Sequence, residues 1–449
     1  MMREPPFRLL SRPERTGLAG KRMLVLGLGD TGLSVARWAE LHGARVRVAD
    51  TRSVPPRQFA GDVRLGAFTP ALLEGVDLLC ISPGLSLADP LVAEALVGGI
   101  PVLGDVELFA WTNRAPVLAI TGTNGKSTVT AFTGHLLKSA GIDAEVAGNI
   151  SPPVLEAAMN RRTPPAAWVL ELSSYQLETT WSLNSRAATM LNLTEDHLDR
   201  YAGIGEYGAA KARIFQGDGV QILNRDDAAS AAMALPGRRL LSFGLDKPKT
   251  REAFGLAQGW LVEGEAQIME AAALPIHGAH NVSNALAACA LARACGVPRE
   301  RLAMGLKSFR GLPHRLELVA RRQGVDWYDD SKGTNVGATI AALRGLGRKA
   351  VLILGGEGKG QDFSPLRAPV AQFASRVLLI GRDAPLIEAA LRGLPSERCA
   401  SLEAAVPRAA ALAKAGEAVL LSPACASFDM FRDYKHRGEA FAAAVRSLA

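Results

Sequence analysis

Cysteine is scarce and odd in number: five residues in 449 (Cys80, Cys289, Cys295, Cys399, Cys425), none in a Cys-x-x-Cys pair. That excludes a disulfide scaffold and a cysteine zinc site; the apolar neighbours of each predict buried thiols in a reducing compartment. Aromatic residues make up only 6% of the chain. No apolar stretch reaches the roughly 18 residues that a membrane helix needs. The opening MMREPPFRLLSRPERTG lacks the apolar centre of a secretory leader, so a cytoplasmic location and no membrane insertion are expected. Charge of one sign is missing too. Lys and Arg total 51 against 44 Asp and Glu, a net +7, and the basic residues are dispersed rather than clustered. A spread of this kind predicts a solvated surface with anion sites, not a nucleic-acid footprint. Repeats and low-complexity tracts are also absent. What is present is 48% hydrophobic residues and a mean hydropathy of +0.11, the composition of a soluble α/β protein. At 449 residues the chain is long for one core, so two to four domains are expected.

The strongest local signal is APVLAITGTNGKSTVTAFTGHLLKSAG, residues 115–141. The run 117–120 reads as a buried strand, Gly122-Thr123-Asn124-Gly125 as a loop, and Lys126-Ser127-Thr128 as the start of a helix with apolar residues at helical spacing. A strand, a glycine-containing loop and a helix N-terminus make a phosphate cradle. Lys126 can reach outer phosphates and the Ser127 hydroxyl can take Mg²⁺. Ile120 stands where the first glycine of G-x-x-x-x-G-K-[ST] belongs, so the loop is a shortened variant. Strand-like runs alternate with Ala/Leu-rich helical stretches from end to end, which predicts parallel sheets covered by helices. Three blocks follow: residues 1–105, 106–311 and 312–449, the last beginning at the Gly/Pro-bearing segment Gly311-Leu-Pro-His-Arg315. A helix is read over Asn284–Cys295. Residues 236–275 suggest a small β-rich excursion.

The first block carries Gly27-Leu-Gly29-Asp-Thr-Gly32 after a strand, and Asp50 closes the next strand. This is the pattern of NAD binding in a Rossmann fold, so an NAD-dependent oxidoreductase is the rival from another functional class. The same geometry holds any nucleotide diphosphate. The remainder of the chain offers phosphate and metal ligands rather than a hydride-transfer site. In the second block Glu171 ends the apolar strand of AAWVLELSSYQ, where phosphate-loop enzymes put their Mg²⁺ partner. His197 follows another strand in MLNLTEDHLDRY, at the sheet edge where ligands bind. His42 and His135 have no such context and are read as surface residues. Lys211, in EYGAAKARIF, is on its own a surface lysine. Asn281 and Asn284 lie three apart on one helix face, able to bond an adenine or an adjoining loop; for Asn281 a helix N-cap is the equal alternative.

Taken in order, GTNGKST, LELSSYQL, NLTEDHLDRY, YGAAKARIF, GAHNVSNALAA, GLPHRLE, DDSKGTN, LGGEGKGQDFSPL and LSPACASFD resemble the Mur ligases of peptidoglycan synthesis over all three blocks. The first-block motif with Asp50-Thr51-Arg52, DDSKGTN and LSPACASFD is most similar to the D-glutamate-adding branch. The alanine-, diamino-acid- and dipeptide-adding branches and the folylpolyglutamate enzymes share only the central motifs. The resemblance implies an α/β fold of three domains: a Rossmann-like N-terminal domain that holds a UDP substrate, a central phosphate-loop ATPase domain with a mostly parallel sheet, and a Rossmann-like C-terminal domain. It implies an ATP-dependent amide ligase. ATP phosphorylates the alanine carboxylate of UDP-N-acetylmuramoyl-L-alanine, D-glutamate's amine attacks the acyl phosphate, and ADP and phosphate leave. The implied cofactors are ATP, two Mg²⁺ ions and a CO₂-derived carbamate on Lys211; small-molecule substrates are the partners, and a monomer is expected.

Its residue roles carry over as follows. Lys126, Glu171, His197 and Lys211 are the catalytic set, with Ser127, Glu171, His197 and carbamylated Lys211 on metal. Gly122 to Thr128, Asn281, Asn284, Arg315 and Asp330 hold ATP. Asp30, Thr31, Asp50, Thr51, Arg52, Gly84, Asn149, Ser173 and Gln176 hold the UDP substrate. Lys332, Thr334, Lys359, Ser427, Phe428 and Tyr434 hold D-glutamate. Tyr434 departs from the phenylalanine expected at its place, and Tyr175 replaces another aromatic. Because the roles are spread over all three blocks, movement about Gly311–Pro313 is expected to accompany turnover.

Overall fold

The computed structural model describes residues 10, 12–276 and 278–448. Most of the opening stretch read above for a leader therefore lies outside the described residues. Three separate sheets succeed one another along the chain. The first comprises β1 (Arg22–Leu26), β2 (Arg45–Asp50), β3 (Asp62–Leu65), β4 (Leu78–Ile81) and β5 (Val102–Leu103), in the spatial order β3-β2-β1-β4-β5. All its pairings are parallel. The order reverses beside β1, and that reversal opens a crevice at the strands' carboxyl ends.

The central sheet contains β6 (Val117–Thr121), β7 (Ala144–Gly148), β8 (Ala167–Glu171), β9 (Ala187–Met190), β10 (Val220–Asn224), β11 (Leu240–Phe243), β12 (Ala253–Ala257), β13 (Trp260–Glu263) and β14 (Ala266–Glu270). Its order is β14-β13-β12-β11-β10-β9-β6-β8-β7. Strands β6, β8 and β9 are buried along their whole length, which is why their sequences run apolar without alternation. The excursion expected over 236–275 is indeed β-rich, and it continues this sheet: β11 joins β10 in parallel and β12 to β14 add an antiparallel meander. The helix Ala279–Ala294 covers one face, with Ala285 through Ala292 all buried. Its near-uniform burial explains a sequence with almost no polar stripe. The aromatic pair Phe132 and Phe309 stacks beside it with ring centroids 4.0 Å apart.

The third sheet holds β15 (Glu317–Arg322), β16 (Val325–Asp329), β17 (Ala350–Gly355), β18 (Ala374–Ile380), β19 (Ser396–Arg398) and β20 (Ala418–Leu421), ordered β15-β16-β20-β17-β18-β19. Only the β15–β16 pairing is antiparallel. Strands β17 and β20 are wholly buried and lie side by side, so the loops after them, Gly355–Gly360 and Ser422–Phe428, come out together at one edge. The three architectures match the α/β expectation. A single buried cluster runs from Val25 and Val48 of the first sheet to Val117 and Trp168 of the second, fastening those two layers together.

Candidate functional site

The phosphate loop leaves β6 at Gly122 and enters the helix Lys126–Ser139 at Gly125. Gly122 and Gly125 have φ of +148° and +85°, the second in the left-handed region. A Cβ at Gly125 would sit 2.6 Å from Asn284 Oδ1, so the loop needs glycine for close approach. Asn192, just past β9, locks the loop: its Oδ1 accepts from Asn124 N at 2.8 Å and its Nδ2 donates to Asn124 O at 3.1 Å. Lys126 folds over the loop, donating to the carbonyls of Gly122 (2.9 Å) and Thr123 (2.8 Å). Burial lowers its pKa first, with Arg315 adding to the effect.

Behind this loop lies a polar chamber of about 300 Å³. Glu171, at the end of β8, is 2% exposed. Its Oε1 accepts from Asn149 Nδ2 at 2.6 Å, while Oε2 is buried with no hydrogen-bond partner among the described residues. An orphaned carboxylate oxygen is costly unless something electropositive meets it. Lys211 is 1% exposed, contrary to the surface-lysine reading of its sequence. Its Nζ donates to the Gly122 carbonyl at 2.9 Å, the same oxygen that Lys126 uses, and lies over the Tyr207 ring. Burial and then Lys126 push its pKa well below normal. His197 sits at φ +56°, with Tyr175 Oη and its Nδ1 2.7 Å apart. Burial and the neighbouring Lys359, Lys126 and Lys211 favour its neutral ring, against Asp196. The donor set suits a hard divalent cation, with two oxygen donors (Glu171, Ser127) and one neutral nitrogen.

The third sheet closes the chamber from the other side. Arg315 donates from Nη2 to Ser127 Oγ at 2.7 Å. Asn335 donates to Asn124 Oδ1 at 3.2 Å and Asp196 Oδ2 at 3.1 Å, while its own Oδ1 caps the helix Val336–Leu346 through Ala338 N. Lys332, Thr334, Lys359, Ser427, Phe428 and Tyr434 all line this same chamber. Lys332 Nζ stands 3.8 Å from the Tyr434 ring centroid, and burial lowers its pKa to about 8. Lys359 has φ +52° in the loop after β17. Glu357 bridges to Ala426, so the loops after β17 and β20 are tied to each other.

A second cavity, about 270 Å³, shares Asn124, Gly125, Arg315 and Lys332 with the chamber and adds Thr128, Asn281, Asn284 and Asp330. Asp330 accepts from Ser422 Oγ at 2.7 Å, and burial raises its pKa to about 7. The helix here begins at Ala279, five residues before the expected Asn284, with Gly278 as its N-cap. Asn281 is therefore not the cap; it lies in the first turn, where its Oδ1 accepts from Asn284 at 3.2 Å. Glycine fills the cap because φ there is +98°.

A third cavity of about 430 Å³ lies at the crevice of the first sheet, lined by Asp30, Thr31, Asp50, Thr51, Arg52, Gly84, Asn149 and Gln176. Asn149 lines this cavity and the chamber alike, so the three spaces adjoin in sequence. Gly32 permits the crevice: a Cβ there would lie 1.8 Å from the Gly27 carbonyl oxygen. Asp50 is 2% exposed and its oxygens are taken by Leu28 N (2.6 Å) and the Arg52 guanidinium (2.7 and 2.8 Å). The Arg52 pairing holds it down at about 2. A carboxylate saturated in this way positions Arg52 rather than offering itself to a ribose, which removes the feature that favoured NAD. Asp30 pairs with Arg57.

Ser173 lines the chamber, and its hydroxyl caps the short helix Ser174–Glu178. Two further expectations change. His42 and His135 are half-buried rather than surface residues: His42 Nδ1 lies 2.8 Å from the Trp38 carbonyl oxygen and His135 Nε2 2.8 Å from Ser308 Oγ. Cys295 and Cys399 are only partly buried, and all five thiols are free. Sequence reading missed Asn192, Asp196, Tyr207 and Asn335 as site residues. Asn192 and Asp196 stood in NLTEDH beside His197, a signal that could have found them. Asn335 ends DDSKGTN, but its contact with the phosphate loop spans 211 positions of sequence and is visible only in the fold.

The chain matches three family descriptions in succession: "Mur ligase MurD-like, N-terminal domain" over residues 21–104, "Mur ligase middle domain" over 120–292, and "Mur ligase, glutamate ligase domain" over 314–425. It is 54% identical to the UDP-N-acetylmuramoylalanine--D-glutamate ligase of Nitrosospira multiformis, covering 96% of each chain. It is 55% identical to the enzyme of that name from Thiobacillus denitrificans, covering 96% of this chain and 97% of the other. Among solved structures, UDP-N-acetylmuramate-alanine ligase MurC from Thermotoga maritima superposes with a TM-score of 0.60 at 17% identity, over 95% of this chain and 99% of that one. A pseudomurein peptide ligase type C from Methanothermus fervidus gives 0.59 at 18% identity, over 90% and 96%. These two likenesses speak to the fold.

Proposed function

This chain belongs to the Mur ligase family, and from that premise we propose that it joins D-glutamate to UDP-N-acetylmuramoyl-L-alanine, driven by ATP. The observation that carries the reading is the chamber itself. Lys126, Glu171, His197 and Lys211 from the central sheet face Arg315, Lys332 and Lys359 from the third within one space, adjoining a nucleotide-sized cavity on each side.

The residues divide by ligand. The crevice residues Asp30, Thr31, Thr51, Arg52, Gly84, Asn149 and Gln176 take the UDP substrate, with Asp50 holding Arg52 and Ser173 meeting the same substrate from the chamber. Gly122 to Thr128, Asn281, Asn284, Arg315 and Asp330 take ATP. Lys332, Thr334, Lys359, Ser427, Phe428 and Tyr434 take D-glutamate. Two Mg²⁺ ions would be held by Ser127, Glu171, His197 and Lys211, and when bound they supply charge neutralisation between γ-phosphate and carboxylate. The unpartnered Glu171 Oε2 supports this.

A carboxylate is a poor acyl donor because hydroxide would have to leave. Phosphorylation supplies a leaving group, but it drives an anionic phosphoryl group toward an anionic carboxylate. Lys126 and Arg315 provide fixed positive charge for that approach. The neutral amine of D-glutamate then forms the C–N bond and gives up a proton to solvent, and phosphate departs with the C–O bond's electron pair. Lys332 and Lys359 offer ammonium groups to the two carboxylates of D-glutamate, which orients its amine. Lys211 acts as its carbamate: the neutral amine bonds to CO₂ and releases a proton, converting a repelled cation into an anionic oxygen donor. We read the enzyme as a monomer working in the cytoplasm, where ATP and the soluble nucleotide-sugar precursor of peptidoglycan are available.

Phosphate release on mixing UDP-N-acetylmuramoyl-L-alanine, ATP, Mg²⁺ and amino acid tests the reading. Release is expected with D-glutamate and not with L-glutamate. Release with a folate acceptor and L-glutamate would point to the folylpolyglutamate relatives, and saturable NADH binding would revive the oxidoreductase.

A further inference from the structure

Asp105 opens the helix Asp105–Thr112 directly after β5, at the join between the first two sheets. It is 1% exposed, unusual for a carboxylate. Among the described side chains, the one that hydrogen-bonds its carboxylate is Gln176, whose Nε2 lies 3.3 and 3.5 Å from the two oxygens. Gln176 lines the first-sheet crevice. Its other end is fixed as well: Oε1 accepts from Ser173 N at 3.2 Å, half of a capping box in which Ser173 Oγ accepts from Gln176 N. Burial raises the Asp105 pKa to about 6, and both of its carboxylate oxygens accept from the Gln176 amide. An acceptor on one side and a backbone N–H on the other leave the amide a single orientation. One hydrogen of Nε2 is committed to Asp105, and the second is what Gln176 has left to offer.

We propose that Asp105 is a positioning residue for the UDP-sugar site: it fixes the Gln176 amide so that this side chain meets the substrate as a hydrogen-bond donor. The inference rests on reading the crevice as the UDP-substrate site. It assigns specificity for an acceptor oxygen of the substrate to a residue that does not line the cavity. The network also reaches the turn that follows Glu171, since Ser173 is two residues on.

Calorimetric titration of UDP-N-acetylmuramoyl-L-alanine, with steady-state kinetics, tests it. Asp105→Ala is expected to weaken substrate binding and raise its KM by about tenfold or more, the effect of losing a charged hydrogen-bond partner, with the KM for ATP unchanged. Asp105→Asn keeps an acceptor and should restore binding to near the wild-type level. A second pair guards against a folding defect in the alanine variant. Gln176→Glu removes the donor and sets two carboxylates against each other, so it should weaken binding; Asp105→Asn/Gln176→Glu restores the contact between the two side chains but not the donor toward the substrate, so its melting temperature should recover while binding stays weak. Unchanged binding in Asp105→Ala would overturn the proposal, as would near-wild-type binding in Asp105→Asn/Gln176→Glu. Wild-type enzyme that fails to bind the UDP substrate at all would instead remove the functional reading.

Discussion

Replacing Lys211 with alanine should nearly abolish activity, and the structure gives the reason a size. Lys126 and Lys211 both donate to the Gly122 carbonyl at 2.9 Å, so their ammonium nitrogens can be no further apart than about 6 Å. At an effective dielectric of about 20, two like charges at that distance repel by about 3 kcal/mol. Burial and then this repulsion push the Lys211 pKa well below its ordinary value, which raises the share of neutral amine available to CO₂. Carbamylation then replaces the repulsion with an anionic oxygen donor in the chamber that Glu171 also lines. The Lys211→Ala variant should lose about a thousandfold or more in kcat, the scale of removing a group that stabilises transition-state charge. Short carboxylates such as acetate should restore part of it by occupying the vacated oxygen position. A carbon-13 resonance from labelled CO₂ should appear in wild type and be absent in the variant, which reads the modification independently of turnover. Full activity of Lys211→Ala in CO₂-free buffer, or no labelled carbamate on the wild-type chain, would refute the reasoning.

Lys359→Ala should raise the KM for D-glutamate strongly and move that for ATP little, since Lys359 lines the chamber and not the cavity beside Asn281; the reverse pattern would reassign it to phosphate. His314 Nδ1 lies 2.7 Å from Asp329 Oδ2, a pairing that raises the histidine's pKa. A base raised on folding stabilises fully below its unfolded value of 6.5 and loses that contribution as pH rises through the folded value. Asp329→Asn should accordingly lower the melting temperature more at pH 6 than at pH 8.5, and an equal loss at both would count against the ion pair.

Much of this protein is written locally. The phosphate loop, the glycine crevice and the alternation of apolar runs with helices are short-range patterns, because a strand, a tight turn and a helix start each depend on a few adjacent residues. Hence β6, β8, β17, β18 and β20 and the three-sheet organisation were legible. The start of the helix at Ala279 was not, because glycine in an unusual backbone conformation capped it in place of the asparagine that propensity favours. What tertiary structure alone decided is which distant groups meet. Asp50 reads in sequence as a ribose ligand and in space is saturated by Arg52. Lys211 reads as a surface lysine and is buried against a carbonyl 89 positions away. Arg315 reaches Ser127 and Asn335 reaches Asn124 only because the loops of the third sheet come out facing the phosphate loop. Burial and the pairing of remote charges set a side chain's protonation and reach, and neither is encoded within the span of a motif.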